Sequence, residues 1–155
     1  MIQPPEDLCL QMKKDFRFFH FLNEQDVSGL GRFFNCRCLD AGENLWREGD
    51  NTNFVAFIVK GRIETKKETE FRGKQVVVGV YSQESLIGII SILTSEPRPV
   101  TATALEPTQV LLLEKKQFDL LNKEYPELGN RLLKGMLYCL SVRLKQSYER
   151  LAAIF

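Results

Sequence analysis

Side chains that do covalent or metal chemistry are few in this sequence, and they are dispersed. His20 is the one histidine, and it precedes every segment with β character. A metal centre in a small β-barrel enzyme of the cupin kind needs two or three histidines with a carboxylate, so that reading falls. A lone axial His20 is a poor case for haem beside a surface or helix-cap role. Cys9, Cys36, Cys38 and Cys139 make no CxxC pair and no iron–sulfur spacing. Cys36 and Cys38 would share one face of a strand and could not easily bridge each other. Reduced, buried structural thiols in a cytoplasmic protein are the expectation. There is no G-x-S-x-G elbow, and no cysteine–histidine pair has sequence support. The residues point to a chain that is not an enzyme and holds no metal.

The positioning elements are more legible. Ala41-Gly42-Glu43-Asn44-Leu45-Trp46-Arg47-Glu48-Gly49-Asp50, closed by Phe57-Ile58-Val59-Lys60-Gly61-Arg62-Ile63, reads as strands joined by glycine turns. Gly42, Gly49 and Gly61 fall where a β-roll must reverse, since glycine alone takes φ > 0 cheaply. Strands are expected at 36–40, 44–47, 54–59, 62–70, 74–81, 99–106 and 108–114, with turn residues every 8–12 positions or so. The first dozen residues read as a loose lead-in, with helical patterning from near Leu8 to about Phe18. Asn23 is a good N-cap with Asp26 three residues on, opening a short helix whose apolar face is Val27, Leu30, Phe33 and Phe34. Ser85 to Ser95 is too apolar for a free loop and too short to span a bilayer; a short buried helix and a turn are expected there. Helix returns at Lys116 and, past a break at Tyr125-Pro126, runs to the end. The division is thus 1–35 (helices), 36–114 (β-roll) and 115–155 (helices) of a single domain.

In the last helix Leu133, Leu137, Leu140, Leu144, Leu151 and Ile154 follow alternating +4 and +3 steps, with Ser147 filling the missing one. This is a near-heptad seam. A second stripe, Leu128, Leu132 and Met136, covers only the front of the helix. The front would pack on the barrel and the rest of 127–155 would pair with another copy of the chain; a helix folded wholly onto its own barrel is the competing arrangement. The bulk numbers are ordinary: 155 residues, 44% hydrophobic, 26% charged and a net charge of +1. That balance gives no bulk attraction for DNA or an anionic membrane.

The order of elements resembles the cyclic-nucleotide-binding domains of the catabolite-activator and protein-kinase-regulatory-subunit type. Phe19-His20-Phe21-Leu22, followed by Asn23-Glu24-Gln25-Asp26-Val27, looks like the entry helices. Leu39, Gly42, Glu43, Leu45, Glu48, Gly49, Asp50, Phe57, Ile58, Gly61 and Ile63 fall on the first signature. The resemblance, over about residues 16–155, implies a mainly β jelly-roll barrel (a double-stranded β-helix) with flanking helices and a long C-terminal helix.

The ligand cassette of that family, Phe-Gly-Glu-Leu-Ala, a spacer, then Pro-Arg-Ala-Ala-Thr, is matched in part by Ile87-Gly88-Ile89-Ile90-Ser91 and Pro97-Arg98-Pro99-Val100-Thr101. The resemblance therefore implies a ligand site at Gly88, Ile89, Ile90, Ser91, Arg98, Pro99 and Thr101, with Arg143 or Leu144 near the base. Arg98 would pair with a cyclic phosphate through two parallel N–H bonds, and the N–H groups of Ile90 and Ser91 would complete an anion site. Ile89 stands where the family has the glutamate that accepts the ribose 2′-hydroxyl, and leaving that hydroxyl unpaired costs about 1–3 kcal/mol. Glu84, five residues upstream, is a candidate substitute.

Two functions remain open. One is a non-catalytic sensor whose effector is cyclic AMP, cyclic GMP or a related phosphorylated molecule, with the signal passing through the dimer helix to an unknown protein partner. The other is a degenerate domain that binds no nucleotide and serves as a dimeric interaction scaffold. An effector without a free 2′-hydroxyl, or an apolar acid paired with Arg98, is a third, weaker option. The family's transcription factors place a helix-turn-helix after the long helix, about where this sequence reaches Phe155, so no DNA binding by this chain alone is expected.

Overall fold

The run Phe54-Val55-Ala56-Phe57-Ile58-Val59 carries no polar alternation because both of its faces are covered. Val55, Phe57 and Val59 pack into a cluster with the helices, whereas Ala56 and Ile58 pack into a second cluster inside the barrel. Successive strand residues point to opposite faces, so a strand between two cores must be apolar at every step.

In this computed structural model residues 5–15 and 20–155 are described. Helices α1 (Pro5–Asp15) and α2 (Glu24–Leu30) and a 3₁₀ turn (Gly31–Phe33) lead into β1 (Phe34–Leu39), β2 (Asn44–Trp46) and β3 (Phe54–Lys60). Next come β4 (Ile63–Glu68), β5 (Gln75–Tyr81), β6 (Leu86–Ile87), α3 (Ile89–Thr94), β7 (Thr101–Ala104) and β8 (Thr108–Glu114). Helices α4 (Lys115–Glu124) and α5 (Pro126–Ala152) follow. Two four-stranded antiparallel sheets result, ordered β1-β8-β3-β6 and β2-β7-β4-β5. This is the jelly-roll barrel with flanking helices and a long C-terminal helix.

Local chemistry explains the boundaries. Asn23 and Asp26 form a reciprocal capping box, Asp26 N donating to Asn23 Oδ1 (2.8 Å) and Asn23 N to Asp26 Oδ2 (3.1 Å). Pro126 occupies the first turn of α5, where its missing N–H costs nothing. Gly61 has φ +95°, and a Cβ there would lie 2.4 Å from Thr108 Oγ1 and 2.7 Å from Pro107 O.

Helix α5 is two-natured. Leu128, Leu132 and Met136 are buried with the helix-side cluster. Beyond them Leu137, Leu144 and Leu151 are 64%, 52% and 58% exposed. No helix among the described residues is long and apolar enough to cross a membrane. Strand β5, at the edge of its sheet, also exposes Val76, Val77, Val78 and Val80.

Several expectations need correction. The chain is helical from Pro5 rather than a loose lead-in, and β1 begins at Phe34, two residues early, because Phe34 pairs with Leu113. The expected strand 99–106 shrinks to four residues, since Pro99 and Val100 precede its ladder and Leu105 turns away. The 62–70 strand ends at Glu68, the 44–47 strand at Trp46, and α4 starts at Lys115. The expected buried helix is present as α3, but Leu86–Ile87 form a short strand before it. Cys38 is exposed and Cys36 half-buried because β1 is an edge strand, and Cys139, on α5, is half-buried as well. The expected helix end at 16–18, Phe19 of the entry segment and the Cys9 side chain lie outside the described residues; His20 is exposed.

Replacing Gly61 by Ala adds left-handed strain to a collision, so the loss of stability should be about 3 kcal/mol or more. At Gly42 (φ +85°) a Cβ would meet nothing within 4 Å, and Ala there should cost about 1 kcal/mol. Chemical denaturation measures both; equal losses would contradict the packing at Gly61.

Candidate functional site

Two segments far apart in sequence are bolted together by their backbones. Gly49 N donates to Arg98 O (2.8 Å) and Arg98 N donates to Asp50 O (2.9 Å). The turn after β2 thus fixes the α3–β7 loop. Trp46 Nε1 donates to Val100 O (2.9 Å) and Glu48 N to Thr101 Oγ1 (2.9 Å), continuing the seam.

The Arg98 side chain turns inward from this seam and is 1% exposed. Its Nε donates to Thr52 Oγ1 (2.9 Å), Nη1 to Gly88 O (3.3 Å) and Nη2 to Phe54 O (2.7 Å). Its Cζ lies 3.8 Å from the Trp46 ring centroid and 4.5 Å from that of Phe54. Burial pushes the guanidinium down to about 10, opposed in part by Asp50, so it stays a full cation at neutral pH. No carboxylate among the described residues forms an ion pair with it. Three of its five N–H donors are engaged by neutral oxygens, and Asp50 acts on its charge only at longer range, without a direct ion pair.

Gly88 makes this approach possible. With φ +82°, it leaves no Cβ, which would sit 2.5 Å from Arg98 Nη1 and 2.9 Å from the Trp46 ring.

A cavity of about 250 Å³ lies against Arg98. Its walls are Trp46 from β2, Thr65, Val78 and Tyr81 from the β4–β5 hairpin, and Ile87, Gly88, Ile89 and Ile90 from β6 and α3. Arg98, Pro99 and Val100 close one side, and Leu140 and Arg143 of α5 form the roof. The lining holds two arginines and no carboxylate. Arg143 Nη2 donates to Leu86 O and its Cζ is 4.6 Å from the Tyr81 ring centroid. On the far side of Arg143 lies a second space of about 220 Å³, lined by Glu84, Tyr138 and Cys139 among others.

Of the residues singled out from sequence, Gly88, Ile89, Ile90, Arg98, Pro99 and Arg143 line the first cavity. Ser91 and Thr101 do not. The Ser91 hydroxyl is wholly buried and donates to Glu96 O (3.4 Å), and the Thr101 hydroxyl is spent on Glu48 N. Ile89 touches the cavity but belongs to the helix-side cluster with Leu86 and Ile92. Leu140, one turn before Leu144, takes the roof position, and Glu84 faces the second space. Sequence reasoning missed Trp46, Thr65, Val78 and Tyr81. Thr65 carried a signal, being a polar residue at an inward step of β4, between buried Ile63 and an exposed end.

The family model for the cyclic nucleotide-binding domain matches residues 36–125, more than half of the chain. The chain belongs to the cyclic nucleotide-binding domain family. Patatin-like phospholipase domain-containing protein 6 of Mus musculus is 30% identical over 95 residues, 61% of this chain but only 7% of that protein. The chain therefore spans a small fraction of that relative's length. Among solved structures, the cyclic nucleotide-binding domain from Methylobacillus flagellatus KT superposes with a TM-score of 0.84 at 23% identity, covering 97% of this chain and 84% of that one. The regulatory domain of Toxoplasma gondii PKA, solved with cAMP, gives 0.67 at 18% identity, covering 79% and 50%. The family is one of regulatory domains, and the phospholipase resemblance is confined to such a module within a much larger protein.

The clamp on Arg98 makes it structural as well as electrostatic. Arg98→Lys cannot reproduce the planar array serving Thr52, Phe54 and Gly88, so ligand-free stability should fall by about 1–3 kcal/mol. A thermal midpoint equal to that of the wild type would contradict the clamp.

Proposed function

We infer that this cyclic nucleotide-binding domain is a non-catalytic sensor that takes a cyclic nucleotide, or a related small phosphorylated anion, into the cavity beside Arg98. The observation that carries this reading is the buried charge of Arg98, which has no direct ion pair among the described residues, in a wall that holds a second arginine and no acid. An anion entering there supplies a direct counter-charge, and a guanidinium sheltered from water repays it more than an exposed one. Ser91 and Thr101 would serve through their backbone or support the loop, since neither lines the cavity. The ribose acceptor remains the weak point of the match: Thr65 and Tyr81 carry the hydroxyls in the lining, and Ile89 offers none.

The roof explains how occupancy would be reported. Leu140 and Arg143 sit on α5, so a ligand that draws Arg143 from Leu86 O toward an anion shifts the helix on which the exposed leucines lie. Those leucines favour pairing of α5 with α5 of a second copy, and the effector-linked signal would be a change in that pairing, read by a protein partner.

Thermal denaturation with cyclic AMP and cyclic GMP at about 1 mM tests the sensor. An affinity of about 50 μM gives about 1.8 kcal/mol, or about 4–7 °C. In Arg98→Lys the ligand-dependent shift, referred to that variant's own ligand-free midpoint, should be largely lost. Absence of any shift in the wild type would remove the sensor and leave an interaction scaffold. Sedimentation tests the seam separately: the wild type should be a dimer, and Leu137→Glu with Leu144→Glu a folded monomer. A wild-type monomer at high concentration would discard dimer signalling.

A further inference from the structure

A further cavity, of about 620 Å³, opens beside the break between α4 and α5. Gln25, Asp26 and Gly29 of α2 form one wall, Arg32 stands at the 3₁₀ turn, and Tyr125 to Leu128 with Arg131 form the other wall. We propose that this cavity is a binding site for a small organic monocarboxylate with a flat, apolar body, held by Arg32.

The charges single out Arg32. Asp26 is fully committed: Oδ1 accepts from Arg131 Nη2 (2.8 Å) and Oδ2 from Asn23 N (3.1 Å). Arg32 has no carboxylate partner among the described residues. Its Cζ lies 4.9 Å from the ring centroids of both Phe33 and Tyr125. The two rings, set 73° apart, flank the guanidinium, and with no hydrogen bond from its side chain among the described residues its N–H groups are available to meet a carboxylate with two parallel bonds. Arg131 adds a buried Nε without an acceptor, and the first turn of the 27-residue α5 faces the same space. Glu127 also lines the cavity, but its charge acts on Arg131, so Arg32 is the cation left for a singly charged guest.

The apolar body has its own place. Tyr125, Pro126 and Leu128 supply apolar surface, and Gly29 leaves the facing wall bare: a Cβ there meets nothing within 4 Å. Glycine inside a helix is worth about 1 kcal/mol less than alanine, and no close packing at Gly29 requires it. Its effect is to keep the cavity open.

Titrating the ¹⁵N-labelled full chain with sodium benzoate, with benzyl alcohol as the uncharged match, tests the site by amide shifts. Saturable changes centred on Gly29, Arg32, Tyr125 and Leu128 are expected for benzoate and not for the alcohol. Arg32→Gln should weaken benzoate about tenfold. Gly29→Leu, which fills the cavity with a better helix former, should abolish binding, whereas Gly29→Ala should keep it and raise the thermal midpoint. No saturable change in the wild type, equal binding of the alcohol, or unchanged affinity in Arg32→Gln would each overturn the assignment.

Discussion

A single charge governs how this molecule is put together. Arg98 is pulled from water by its neighbours, yet its direct contacts are neutral oxygens and two aromatic rings, with Asp50 acting at longer range. Much of the surrounding architecture exists to satisfy that guanidinium geometrically: Thr52 and Phe54 at the entry to β3, Gly88 without a side chain, and Trp46 laid flat against it. The electrostatic demand is met only in part, by Asp50 at a distance, and a site that is geometrically complete and electrically incomplete is suited to an anionic guest.

The two cores make this arrangement possible. Strand β3 runs between them, presenting Val55, Phe57 and Val59 to the helices and Ala56 and Ile58 to the barrel. Phe54, at its start, gives its carbonyl to Arg98 and its ring to Trp46, 5.6 Å away. The same strand that joins barrel to helices therefore also carries one end of the site. Helix α5 closes the loop of connections: its first turns are anchored in the helix-side core, and its later turns roof the cavity through Leu140 and Arg143.

What the sequence made legible is what short-range chemistry decides. The capping box of Asn23 and Asp26, the break at Pro126, the glycine reversals and the buried helix after Ser85 are all set by residues within a few positions of one another. Arg98, Gly88 and Ile89 came to notice only through a family resemblance. The structure adds why they stand together: the Gly49–Arg98 and Arg98–Asp50 bonds join segments nearly fifty residues apart. The misses share a cause. Whether the Thr101 hydroxyl faces a ligand or the Glu48 amide, and whether Leu140 or Leu144 reaches the roof, depends on pairings that no local pattern encodes. The early start of β1 is likewise set by Leu113, its ladder partner from far along the sequence. Arg32 stood beside a phenylalanine in the sequence, but Tyr125, its second aromatic neighbour, reaches it only through the packing of the hinge.

Arg143 touches two spaces at once, the cavity beside Arg98 and the smaller one behind it. Its tether to Leu86 O and its seat on Tyr81 make it a partition built from one side chain rather than from backbone. The capacity of the chamber is thus set by a rotamer.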